Sequence, residues 1–72
     1  MHLELQVKES TEWKVRNMSK SLPPKSSDYA TEFQRLKRLR QRWSNLSQFS
    51  ASQYQIVEVN SDTGKRVERI LE

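Results

Sequence analysis

The chain reads as an α+β domain of two layers, one amphipathic helix packed on a small antiparallel sheet of three or four strands. Three observations predict it: an apolar stripe at helical spacing between about residues 28 and 49, alternating apolar and polar residues before it, and two β-rich runs joined by the chain's only glycine after it. The expected order is ββαββ, or βαββ if the N-terminal alternation forms one strand. Seventy-two residues allow a single domain spanning 1–72. A chain this short buries roughly 60% of its unfolded surface, so its stability is expected to be marginal unless a partner adds to it.

Leu3, Leu5 and Val7 alternate with His2, Glu4, Gln6 and Lys8, and Trp13 and Val15 alternate with Glu12, Lys14 and Arg16. Both are the pattern of half-buried strands. All five apolar residues fall at odd positions, so one long strand would also keep them on one face. The polar run from Lys8 to Glu12 favours a hairpin instead, although no glycine or Asn-Gly marks the turn. Residues 17–27, rich in serine and containing Pro23 and Pro24, make a loop by composition. No PxxP spacing is present, which removes the main support for a polyproline ligand.

The helix is the best-defined element. Tyr29, Phe33, Leu36, Leu39, Trp43 and Leu46 recur at steps of four, three, three, four and three, and all six are expected to point inward. Ser27 or Asp28 is expected to cap the start, and Asp28 and Glu32 suit the positive end of the helix dipole. At 100° per residue, Arg35, Arg38 and Arg42 group about 200–260° from Leu36, away from the stripe, while Gln34, Gln41 and Asn45 lie at about 140–180°. Arg40 falls on the apolar side and must snorkel or pair, most simply with a strand carboxylate.

After the helix, Gln53 to Asn60 and Val67 to Leu71 read as antiparallel strands, with Gly64 supplying a left-handed residue to the turn between them. Glu58 is expected opposite Arg66 or Arg69, and the nearby Asp62 to pair with a cation. A single helix covers one face of such a sheet. Tyr54 and Ile56 share one side of their strand and Val57 and Val59 alternate against them, so one pair is expected to be exposed unless a bulge changes the phase.

Thirteen Lys+Arg against nine Asp+Glu give a net charge of +4 and a pI near 9.8, which favours acidic partners. With no cysteine there is no disulfide, thiolate metal site or thiol nucleophile, and no signal-like or membrane-spanning run follows Met1. A cytoplasmic location is the expectation. The one histidine, His2, sits at the terminus, and no phosphate-loop, dinucleotide, zinc-protease or nucleophile-elbow motif occurs. No enzyme, catalytic residue, metal, cofactor or small-molecule substrate is therefore expected.

The sharpest functional candidate is the cationic side of the helix. Arg35, Lys37, Arg38, Gln41, Arg42 and Asn45 would follow phosphates or reach base edges, with Lys65 and Arg66 of the C-terminal hairpin extending the patch, so nucleic acid is one expected partner. The alternative is a protein-interaction or homodimerising module, using an uncovered sheet face or an edge strand, with Tyr54 and Ile56 as candidate contacts.

Overall fold

The computed structural model describes residues 1–23, 25–61 and 64–72. Pro24 and Asp62, to which the sequence assigns a loop and an ion pair, lie outside the described residues. The element order is β1 (His2–Glu9), β2 (Glu12–Met18), α1 (Asp28–Leu46), a short 3-10 turn (Ala51–Gln53), β3 (Tyr54–Asn60) and β4 (Val67–Ile70). The four strands form one antiparallel sheet in the order β2-β1-β3-β4, with α1 lying across β1 and β3 on one side. Of the two expected orders, ββαββ is the one formed.

A hairpin with a two-residue loop decides which way the N-terminal strands face. Glu9 pairs with Glu12, so only Ser10 and Thr11 turn the chain, and each odd residue of β2 from 12 to 15 then stands beside an even residue of β1. Lys8 faces Trp13 and Gln6 faces Val15. Directly paired residues share a sheet face, so Trp13 and Val15 lie opposite Leu3, Leu5 and Val7. An unbroken strand would have put all five together. Ser10 takes φ 58, the positive value that glycine normally supplies at the first central position of such a turn. Ser10→Gly is accordingly expected to raise stability by about 0.5–1 kcal/mol by relieving that conformation. A lower urea midpoint would instead show that the serine side chain holds the turn.

Farther along, Leu5 pairs with Asn17 and Gln6 with Val15, leaving Arg16 as the extra residue of a bulge. The bulge directs the Arg16 guanidinium over the Trp43 ring, 4.3 Å from its centroid, while Asn17 Oδ1 accepts from the Trp43 indole N–H at 3.0 Å. It also returns Met18 to the open side, beside Glu4. These contacts tie the second half of α1 to β2.

The core under the helix contains Leu3, Leu5, Val7, Leu22, Leu36, Tyr54 and Ile56, with Tyr29, Phe33, Leu39 and Trp43 packed against it at partial exposure. Leu46 departs from the expected stripe and is 69% exposed. The reason is positional: α1 ends there rather than at residue 49, and Ser47 turns to an extended conformation before the chain runs back into β3. Ser47 Oγ and the Tyr54 hydroxyl then meet at 3.1 Å. At the other end neither Ser27 nor Asp28 provides the cap. Ser27 is already helical in conformation, and Ser26 Oγ accepts from the Asp28 N–H at 3.1 Å, while the Asp28 carboxylate pairs with Lys20 at 2.9 Å.

β2 runs through Met18, so the serine-rich loop starts two residues later than its composition suggests. The loop is stitched to the start of β1: Ser19 N–H donates to Leu3 O, Ser19 Oγ accepts from Leu3 N–H, and Leu22 N–H donates to Met1 O. These bonds carry Leu22 into the core, where it is fully covered. Gly64 has φ 81 and donates its N–H to Ser61 O at 3.0 Å, as its place in the C-terminal connection suggested.

Candidate functional site

Two surfaces compete for the role of a binding site, and side-chain pairing separates them. On the helix, Arg35 donates to Glu32 at 2.8 Å and to the Met18 carbonyl at 3.1 Å. Arg40 and Lys37 both reach the Glu72 carboxylate, at 2.9 and 3.5 Å. Arg40 thus pairs as its position on the apolar side required, but with Glu72, two residues past the end of β4, rather than with a strand carboxylate. Glu72 is brought there because Leu71 and Glu72 carry the pairing of β4 on along β3: Leu71 N–H donates to Ile56 O, and Ile56 N–H donates to Glu72 O.

Arg38 and Arg42 are left exposed, one turn apart, with no ion pair among the described residues. Gln41 donates to Asn45 Oδ1 at 3.3 Å, so these two amides partly satisfy each other. Arg66 does not extend this patch. Its side chain lies on the opposite side of the sheet, across Glu4 and Glu68, and Lys65 is exposed in the connection that leads to it. The candidate nucleic-acid set of Arg35, Lys37, Arg38, Gln41, Arg42, Asn45, Lys65 and Arg66 is therefore split between two faces of the molecule, with Arg35, Lys37 and Arg66 held by carboxylates.

The open face of the sheet has a different composition. Register places Met18, Glu4, Val57 and Ile70 in one row across the four strands. Adjacent rows on the same face hold Val15, Gln6 and Gln55, then His2, Val59 and Glu68, and Trp13 with Lys8. In the middle, Glu4 is almost completely covered. It accepts from Arg66 at 2.7 Å and Gln6 at 2.9 Å, and its other oxygen lies 2.8 Å from His2 Nε2. Gln55 donates in turn to Gln6 Oε1 at 2.7 Å. Burial by itself pushes the Glu4 carboxyl up. The hydrogen bonds from Arg66, His2 and Gln6, with the Arg66 charge, outweigh it and hold the group at about 2 against an ordinary 4.5.

Val57 and Val59 are fully covered on this face, each between a β1 and a β4 neighbour, while Tyr54 and Ile56 are fully covered beneath the helix. The expectation that one pair would be exposed fails because polar side chains with long stems, Glu4 and Arg66 above all, roof the central valines. Tyr54 and Ile56 themselves belong to the core and form no part of the open surface. Exposed apolar residues occur instead at the two edges of this face: Trp13 at 41%, Val15 at 48% and Met18 at 53% on β2, and Ile70 at 66% on β4. Sequence reading assigned Trp13 and Val15 to the core side. The five-residue polar run from Lys8 to Glu12 did not signal this, since an odd loop keeps parity and only the two-residue loop that forms inverts it.

Among the described residues there is no cavity, no cluster of three or more His, Asp or Glu able to hold a metal ion, and no helix long and apolar enough to cross a membrane. Compared with known protein families, curated proteins and solved structures, the chain matches none.

Proposed function

We propose that this chain is a non-enzymatic protein-binding module whose contact surface is the sheet face opposite the helix. The observation that carries this reading is the placement of Trp13, Val15, Met18 and Ile70, large apolar side chains left in water on one side of one sheet. Exposed apolar residues scattered singly need no explanation, but a set on a single face around a satisfied polar centre has the composition of an interface. Aromatic and methionine side chains are the types enriched at such surfaces.

Nucleic-acid binding is the second reading, and Arg38 and Arg42, exposed and without an ion pair among the described residues, favour it. It is the weaker of the two because Arg35, Lys37 and Arg40 are already spent on Glu32 and Glu72, which reduces the number of phosphates the helix can neutralise.

A photoreactive residue placed at Val15 or at Arg38 distinguishes them in the expressing cell. The expected result is a protein adduct from the Val15 probe, with little from the Arg38 probe. Adducts at Arg38 alone, carrying nucleic acid and weakened by salt, would transfer the function to the helix.

A further inference from the structure

We infer that the partner is an acidic segment of another protein, added in extended form to the free edge of β2 as a fifth, antiparallel strand. This rests on the reading of the open face as a protein-binding surface and names the chemistry of its partner. β2 stands at the end of the sheet order and pairs with β1 alone. In a hairpin with a two-residue loop the flanking pair, here Glu9 and Glu12, exchanges both backbone bonds, and bonded pairs alternate along the ladder from there. Val7 and Lys14 form the next bonded pair. The same parity holds at Leu3, whose N–H and carbonyl both point to the β2 side, where Ser19 bonds them. Trp13 and Val15 therefore direct their N–H and C=O away from β1, at an edge that no other described strand pairs. Such groups are a template for an added strand.

The two sides of β2 specify what that strand must carry. Residues paired directly with Trp13 and Val15 share their face, so they are apolar and lie along the strip that Met18 continues. Residues between them point to the helix side. There Lys14 shares the face of Val7, and Arg16 lies over the Trp43 ring. Arg42 belongs to the same flank, because it follows Arg35 by about two turns of α1 and Arg35 reaches the Met18 carbonyl at the end of β2. Lys14 and Arg35 are paired with Glu9 and Glu32, whereas Arg16 and Arg42 have no ion pair among the described residues. Glu12 sits beside the turn, so the positive charge is concentrated at the Arg16 end of the edge. A strand with carboxylates there and apolar residues on its other side complements both faces. The bulge at Arg16 confines regular pairing to residues 12–15, and Lys14 with Arg16 turns away cationic strands, so the edge is selective rather than adhesive. The opposite edge offers less: β4 has four residues, and its Glu68 is already held by Arg66.

Amide exchange and chemical-shift titration of the isotope-labelled full chain with acetyl-Glu-Glu-Val-Glu-Val-Thr-amide, to roughly 1 mM, tests this. Laid antiparallel, the peptide sets its valines against Val15 and Trp13 and its glutamates against Arg16 and Lys14. The expected result is slowed exchange of the Trp13 and Val15 amides. Affinity should fall at least about 10-fold with Arg42→Glu, a change at an exposed position, and with a peptide carrying lysine in place of glutamate. N-methylation of the two valines, whose amides face β2 in this register, should abolish binding, and N-methylation of the glutamate between them should not. Binding that leaves the Trp13 and Val15 amides unprotected, or that survives N-methylated valines, overturns the inference. Protection of these amides that grows with the concentration of the chain alone overturns it too, by making a second copy the occupant. Oligothymidylate that shifts Arg16 and Arg42 where the peptide does not overturns it by making the flank a phosphate site. No binding of the peptide, with a protein still captured by the Val15 photoprobe, refutes the added strand and leaves the open face as the binding surface. No binding and no adduct at Val15 removes both.

Discussion

Leu36→Ala is expected to destabilise the domain by about 3 kcal/mol, and Leu46→Ala to change its stability by less than about 0.5 kcal/mol. The two leucines lie on the same apolar stripe of the same helix, so propensity and hydrophobicity do not distinguish them. Packing does. Leu36 is the only helix residue wholly removed from water and stands in the cluster with Leu3, Leu5 and Ile56, whereas Leu46 is at the end of α1 with most of its surface exposed. A 72-residue domain has roughly 4–11 kcal/mol to lose, so the Leu36 variant should melt at a much lower urea concentration, followed as loss of far-UV helix signal. Equal shifts for the two variants would mean that α1 continues past Leu46 and buries it.

Glu4→Ala should cost about 2–3 kcal/mol at neutral pH, an unusual penalty for removing a glutamate from a strand. The substitution takes away the common acceptor of Arg66, Gln6 and His2, and Gln6 is itself buried. Arg66 is half exposed and returns to water, which keeps the cost below that of orphaning a wholly buried cation. The pH dependence has a fixed sign. Because the folded-state value of Glu4 is depressed to about 2 from 4.5, its contribution is complete above about pH 4.5 and disappears as the pH falls toward 2. The difference between wild type and Glu4→Ala in urea melts should therefore shrink across that window. A difference that stays constant from neutral pH to pH 2 would show that Glu4 acts through packing alone.

The layers of this fold were legible in the sequence because they follow from periodicity. Residues 3, 5 and 7 alternate strictly, and positions 29, 33, 36, 39 and 43 keep helical spacing up to the point where serines begin to interrupt it. What the sequence did not show depends on relations between distant segments. The fate of Arg35, Lys37 and Arg40 was set by Glu32 and by Glu72, the latter more than thirty residues away and delivered by backbone pairing with Ile56. Leu22 sits in a stretch whose composition says loop, and it is buried because the backbone of Met1 bonds Leu22 N–H and the backbone of Leu3 bonds both the N–H and the hydroxyl of Ser19. Val57 and Val59 read as surplus apolar residues in the sequence, but they are covered in the fold, where Arg66 reaches past β3 to Glu4. The same polar centre explains why the exposed apolar residues of the open face lie at its edges.

That division of the sheet into a helix-covered side and an apolar-edged open side underlies the proposed role, and it depends on the parity set by Ser10 and Thr11. Nuclear Overhauser contacts in solution test it directly. The expected pattern joins the Val15 methyls to Gln6 and the Met18 methyl to Val57 or Glu4, while the Leu36 methyls contact Leu5 and Ile56. Contacts from Val15 or the Trp13 ring to Leu36 or Phe33 would place these residues under the helix and contradict the account.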